Sequence, residues 1–394
     1  MLEFLTSGLT GSTITEMVVY TLIATHITII AVTVYLHRAQ AHRALDVKAP
    51  LAHFFRLWLW MTTGMGTRAW AAIHRKHHAK CETDEDPHSP QTRGLKKVFW
   101  EGAELYRAEA KNTETIRKYG HGTPDDWLEN KVYSAFPWQG LGLMLVIDFL
   151  MFGLPGLTMW AIQMVWIPFW AAGVINGIGH YWGYRNYDCP DASRNVFPWG
   201  IIVGGEELHN NHHTHATSAK LSSKWYEFDI GWMYIRIFSM LGLVKIKKVA
   251  EAPKFKPAGH LDLASVQALI NHRYDVMARY AGNLRKAFRE ESARMLSEAR
   301  SAEERGMIVK AKKLLSVDES KLSVEQKASL AELCKRSQVI HTLVEKRREL
   351  REIWESTNLS KEQMLANLRA WCDNAEKSGI RWLEAMSQRI RRYA

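Results

Sequence analysis

The chain holds 17 histidines, and eight of them fall in three tight groups. His37 and His42 bracket one short run, and His74, His77 and His78 form a His-Arg-Lys-His-His run. His209, His212 and His213 form a His-Asn-Asn-His-His run. Imidazole is a neutral nitrogen ligand that suits iron, zinc, copper or nickel. On a helix, positions i, i+3 and i+4 share one face, so each HxxHH run can aim three rings at one point. His37 and His42 are five apart, about 140° around an ideal helix. They serve two different metals, or one of them sits where the helix ends. His180 stands four residues after Asn176. A solvated or core histidine is the alternative for any single position, and it is the reading taken for His121, His260, His272 and His341. His88 and His215 lie close to the groups and stay open as supports behind the ligands.

The elements that must carry these rings follow from where charge is missing. Lys and Arg number 52 against 41 Asp and Glu, a net +11, which fits a partner such as nucleic acid or an anionic membrane surface. Yet residues 1–36 and 135–180 contain neither Lys nor Arg. The first block predicts a membrane span over 17–36. The second predicts a hairpin of two spans, 136–153 and 157–178, turning at Gly153-Leu-Pro-Gly156, with Asp148 its only acid. Buried core helices of a soluble protein are the alternative. The apolar run 50–66 is short and carries Arg56, so an interfacial helix is expected there. The basic segments 37–134 and 181–394 then face the cytoplasm and the N-terminus faces out. All three histidine groups fall on one side of the bilayer. No basic n-region marks a signal peptide. Four scattered Cys make neither a disulfide scaffold nor a thiolate zinc site.

Residues 251–394 change character, with 28 Lys and Arg against 20 Asp and Glu. Apolar residues recur at helical spacing, and Ser323-Val-Glu-Gln and Ser360-Lys-Glu-Gln read as capping boxes. The expected class is all-α: a membrane domain over 1–250 and a cytoplasmic amphipathic helical region over 251–394. Donor docking, dimerisation and lid-like packing are open roles for the latter. Aromatic and basic residues do not interleave along it, so no nucleic-acid partner is expected.

HxxxxH, HxxHH and HxxHH in this order, with a hairpin between the second and third, resemble the membrane fatty acid desaturase family. Trp70, Asp86-Pro87-His88, Asn176, Gly183-Tyr184-Arg185, Tyr187-Asp188 and Gly205-Glu206 add to the likeness. It covers roughly residues 17–250 and is nearest to the stearoyl-CoA-type Δ9 desaturases, the bacterial acyl-CoA members among them. The resemblance implies two iron ions held by His37, His42, His74, His77, His78, His180, His209, His212 and His213, with Asn176 acting through a water. It implies a cis double bond placed in a long-chain acyl-CoA, using O₂ and two electrons from a separate ferredoxin, rubredoxin or cytochrome b5 type donor. It also implies an integral protein of the bacterial inner membrane with a cytoplasmic active site. Animal members carry an Arg-Asp pair just before the second group and an extra span before the first. Here the pair's places are Ala72 and Ile73, and the extra span is not expected.

Oxidising an unactivated methylene is beyond any side chain, whereas a metal with O₂ can do it. Asp86, Asp188, Glu206 and Glu207 are candidates to orient ligand rings by accepting their second N–H. Trp58, Trp60, Trp70, Trp166, Trp170 and Trp182 are candidates to wall an acyl tunnel, with an interfacial aromatic belt as the alternative. Basic residues in 93–131 are placed to attract a CoA phosphate. Two rival functions are a hydroxylase of alkanes or lipids on the same scaffold and a metal transporter. The transporter would need ligands lining a path through the bilayer.

Overall fold

The structure, a computed structural model, describes residues 2–299, 301–314, 322–356 and 358–394. It divides into two units, Met1–Glu251 and Ala252–Ala394.

In the first unit Thr13 opens the helix Ile14–Ile30 with a capping box shared with Glu16. The helix does not stop there. From Ala31 to Ala41 it widens into a π-helix, whose hydrogen bonds reach back five residues. The joined Ile14–Ala41 helix is long and apolar enough to cross a membrane, and so is Leu154–His180. Pro137–Phe152 is a shorter apolar helix, so the two expected hairpin arms are unequal. Their hinge is Gly153, at φ 69° and ψ −143°. A Cβ there would meet the Phe4 carbonyl oxygen at 2.4 Å, so both the conformation and the space demand glycine. Asp148 is buried between helices, accepting from the Tyr20 hydroxyl at 3.0 Å and the Gln163 amide at 2.9 Å. Val18, Leu22, Val146 and Val165 stay exposed on the outer faces, the apolar surface that a lipid environment would cover.

Where an interfacial helix is expected, a helix runs over Ala49–Thr63 and ends on Gly64 in the left-handed region. Its Arg56 is buried, but it donates to Asp126 at 2.6 and 2.7 Å and to Glu129 at 3.2 Å. Two small sheets pin the chain around the helices. Leu45–Val47 pairs antiparallel with Val244–Ile246, and Trp199–Gly200 pairs parallel with Phe228–Asp229.

The second unit is helical. Its helices include Leu263–Asn271, Arg273–Glu298, Val324–Arg336, Gln338–Glu355, Lys361–Lys377 and Arg381–Ile390. Both Ser323 and Ser360 make the capping boxes read from the sequence. Leu333, Ile340, Leu343, Leu350, Leu368 and Trp371 build a core of its own. Within it the Tyr280 hydroxyl donates to the Leu343 carbonyl at 2.7 Å. Among the described residues this unit has no strand, only an isolated bridge between Phe255 and Tyr393.

Candidate metal centre

Four segments bring nine imidazoles together. The end of the π-helix supplies His37 and His42, and the helix Thr67–Lys80 supplies His74, His77 and His78. A short 3-10 turn ends on His180, and the helix His209–Thr214 supplies His209, His212 and His213. His37 and His42 do not diverge as an α-helix would make them. The His42 N–H bonds the His37 carbonyl at 3.0 Å, and this wider turn sets the two rings 4.7 Å apart. Arg75 fixes the end of that helix: its guanidinium donates to the carbonyls of Gln40 at 2.6 Å, Ala41 at 2.8 Å and Tyr119 at 2.7 Å.

The ring nitrogens sort into two sets. In the first, Nε2 of His42 and His74 are 2.8 Å apart, His74 and His78 3.2 Å, His78 and His212 2.9 Å, and His212 and His37 3.1 Å. In the second, Nε2 of His77 and His213 are 3.3 Å apart, and those of His180 and His209 3.0 Å. Cys81 also stands close to His77, His180 and His213. Burial, then the carboxylates of Asp191, Asp86 and Glu82, push its thiol up.

Carboxylates explain why the Nε2 atoms face inward. Nδ1 of His77 bonds Asp86 at 3.0 Å. Nδ1 of His213 lies 3.3 Å from Asp191, and that of His180 3.5 Å from Glu82. Glu206 stands 2.9 Å from Nδ1 of His37 and 3.6 Å from Nδ1 of His209, at ion-pair distance but not aligned as hydrogen bonds. A proton held on Nδ1 leaves a lone pair on Nε2. In the second set all four rings have a carboxylate behind Nδ1, and four such lone pairs packed this closely repel one another unless a cation sits among them, so this donor set fits a metal ion of nitrogen-loving type. The electrostatics agree. Burial works against ionising Asp86 and Asp191, yet His77 and His213 respectively hold them below the usual carboxylate range. Burial drives His74, His78 and His212 far below their ordinary value. His88 stacks on His77 with ring centres 4.4 Å apart, and burial lowers it to about 3.

Two acids read from the sequence fall in place, Asp86 and Glu206. Asp191, in the turn after Tyr187, is the acid that stands against His213. Glu207 turns away and accepts the backbone N–H groups of Ile202, Val203 and Gly205. Glu82 and Asp191 were missed: both lie in irregular loops, where no periodicity flags them. The third group is braced from below. Asn211 donates to Glu227 at 2.8 Å, Asn186 donates to Asn211 at 2.8 Å, and the Tyr184 hydroxyl donates to Glu227 at 2.8 Å.

A cavity of about 970 Å³ runs past the rings. His37, His74, His209, Glu206, Asn176 and His88 line it, as do the apolar Ile29, Val32, Ile73, Met164 and Ile167. Trp70 lines it too, stacked on His74 with ring centres 5.0 Å apart. Trp166 and Trp170 are not on this wall. Trp160, Met164, Ile167 and Ala171 form the face of their helix that meets the cavity, and Trp166 and Trp170 lie on other faces. Trp182 is largely exposed, and Trp58 and Trp60 also lie off the wall. Trp138 and Trp160 take the places expected of them. Arg107 and Lys111 line the exposed end, with the Arg107 guanidinium 5.7 Å from the Trp138 ring centre.

Comparison with known proteins bears on this site. A family model described as fatty acid desaturase matches residues 15–229. The Delta-9 desaturase-like 4 protein of Arabidopsis thaliana is 30% identical over 242 residues, 59% of this chain and 77% of that protein. The sn-1 stearoyl-lipid 9-desaturase of Anabaena variabilis is 27% identical over 228 residues, 56% of this chain and 80% of that protein. The sn-2 palmitoyl-lipid 9-desaturase of Nostoc sp. (strain 36) is 31% identical over 225 residues, 55% of this chain and 75% of that protein. A second family model, described as transposase, matches residues 268–394.

Proposed function

The chain belongs to the fatty acid desaturase family, and on that premise we propose that it takes two hydrogens from carbon 9 and its neighbour in a saturated long-chain acyl group. The product is a cis double bond, and O₂ and a separate electron-transfer protein complete the reaction. One observation carries the reading: two buried sets of inward-facing imidazole nitrogens beside a largely apolar cavity that His37, His74 and His209 line. His37, His42, His74, His78 and His212 would hold one iron, and His77, His180, His209 and His213 the other, with Asn176 reaching it through a water. Together with O₂, these irons supply oxidising power that no side chain has. The protein's own part is placement. Asp86, Asp191 and Glu82 keep the ligand rings beside them in one tautomer, and the Glu206 charge faces Nδ1 of His37 and His209. Trp70 and the apolar wall exclude water and hold one C–C bond beside the rings.

Acyl-CoA is the first carrier proposed, on the strength of Arg107 and Lys111 at the exposed end of the cavity. A glycerolipid ester is the second. Ala72 and Ile73 are buried and apolar where animal acyl-CoA members carry a charged pair, and two of the relatives above are named for stearoyl- and palmitoyl-lipid. The setting proposed is a bacterial inner membrane with the rings on the cytoplasmic side. Expression in a host without its own unsaturated fatty acid synthesis should yield acyl chains two hydrogens lighter, with the double bond at carbon 9. A gain of one oxygen would assign a hydroxylase, and no new product would remove the reading. Feeding the purified enzyme stearoyl-CoA or a stearoyl phospholipid separates the carriers. DNA processing by 268–394 rests on the family match alone: among the described residues, no cluster of acids there converges to hold a metal.

A further inference from the structure

The second unit carries a basic face that the proposed reaction does not use. Along the helix Arg273–Glu298, Val276, Leu284 and Phe288 turn into the core. Arg279, Arg285, Lys286 and Arg289 share the opposite, exposed side. The helix Arg381–Ile390 packs against it and adds Arg381 and Arg389, with Arg392 just beyond. The acids on this face are already engaged. Asp275 takes Arg279 at 2.8 Å and the Tyr393 hydroxyl at 3.0 Å, and Glu290 takes Arg381 at 2.8 Å. Among the described residues, Arg285, Lys286, Arg289, Arg389 and Arg392 have no carboxylate at ion-pair distance.

Aromatic rings sit between these cations. Trp382 has the Arg381 guanidinium 4.5 Å and the Lys286 ammonium 5.4 Å from its ring centre. Phe255, 41% exposed, has Arg389 at 4.6 Å and Arg392 at 5.9 Å. The interleaving absent along the sequence is therefore made by folding, because 255, 286, 382 and 392 meet on one surface.

We infer that this face docks on the anionic phospholipid headgroups of the bilayer that carries the first unit. Its charge is complementary to them, and Trp and Phe beside Lys and Arg are the mixture that sits at a lipid–water boundary. Nucleic acid fits less well. Cations already cover the Trp382 and Phe255 rings, which are then not free platforms for stacked bases. Chain continuity keeps the unit near lipid, so contacts too weak to recruit a free protein suffice. Each Lys or Arg close to an anionic surface is worth about fivefold in affinity.

The full chain, reconstituted in lipid discs, tests this by amide hydrogen exchange. Exchange over 279–289 and 381–392 should slow severalfold in discs containing phosphatidylglycerol relative to phosphatidylcholine alone, and high salt should reverse it. The triple change Arg285→Gln, Lys286→Gln, Arg289→Gln should abolish the slowing and leave exchange in Gln338–Glu355 unaltered, which shows the unit still folded. Arg285→Lys with Arg289→Lys should keep it. Equal exchange in both discs would overturn the inference, as would slowing that appears only when duplex DNA is added to phosphatidylcholine discs.

Discussion

Replacing Asp191 by Asn keeps the size of the side chain and removes the charge that faces Nδ1 of His213. Changing the carboxylate behind a ligand of this kind costs about 10–100-fold in metal affinity. Iron content measured against graded chelator should fall by that order, and unchanged retention would deny Asp191 its orienting role. His77→Ala and His212→Ala, one from each set, should each abolish desaturation and lower iron per chain, and full activity with full iron would remove them from the ligand set. Proton binding gives a further test. Burial, then His213, lower His209 from 6.5 to about 4 against the pull of Glu206. The folded value lies below the unfolded one, so its contribution is present above about 6.5 and is lost as pH falls toward 4. The metal-free protein should lose thermal stability across that window, and a flat melting temperature from pH 7 to 4 would contradict it. The nine rings, Asp86 and Glu206 are legible in the amino-acid sequence, because both HxxHH runs repeat a helical face and the flanking motifs extend the likeness to the rest. Glu82 and Asp191 are not legible there, since their positions depend on how two loops fold over the rings.

At the level of elements, the readable and the hidden divide along regular geometry. Missing charge located the long apolar helices, and the turn residues located their hinge. For the first histidine pair, the alternative that one residue sits at the helix end holds, with His42 as the cap, but their divergence does not, because 100° per residue describes an α-helix and the chain here is a π-helix. That widening brings residues five apart onto one side, and no local composition announces it. Arg75 shows what holds it in place, since it caps the carbonyls of Gln40 and Ala41 together with Tyr119 and His121. Arg75→Met keeps the unbranched apolar stem of the side chain but removes the guanidinium, leaving these acceptors unpaired. The expected loss is about 3 kcal/mol, read as a lower melting temperature. Iron loss should be selective for the set containing His37 and His42, and a variant with full stability and full iron would show that the helix end is fixed by something else. The same geometric limit misassigned Trp166 and Trp170. Both are apolar and near the rings, but which face of a helix meets a cavity depends on the neighbouring helices.

For the whole first unit, convergence of the rings limits how often the chain can cross a bilayer. Groups at 42, 74–78, 180 and 209–213 touch one another, so they share a side, and the number of crossings between any two of them is even. Between 42 and 74 it is zero. Ala49–Thr63 spans about 22 Å against an apolar core of about 30 Å, and its Arg56 is paired to the 126–129 segment. Between 78 and 180 it is two, if Leu154–His180 crosses. Pro137–Phe152, at about 24 Å, must then cross as well despite its length, with the bilayer thinned around it. If Ile14–Ala41 crosses as well, the N-terminus lies opposite the rings. An independent contact agrees. The Leu9 N–H bonds the Leu150 carbonyl at 2.9 Å and the Thr10 hydroxyl bonds that of Met151 at 2.6 Å, so the N-terminal segment lies beside the hinge at Gly153 and the two must share a side. Reporters placed at residue 2 and at residue 153 should therefore both read periplasmic, and one placed after residue 250 cytoplasmic. A cytoplasmic signal at 153 would make both arms re-entrant. A cytoplasmic signal at residue 2 would mean that the first long helix does not cross, and the odd count of spans would fall with it.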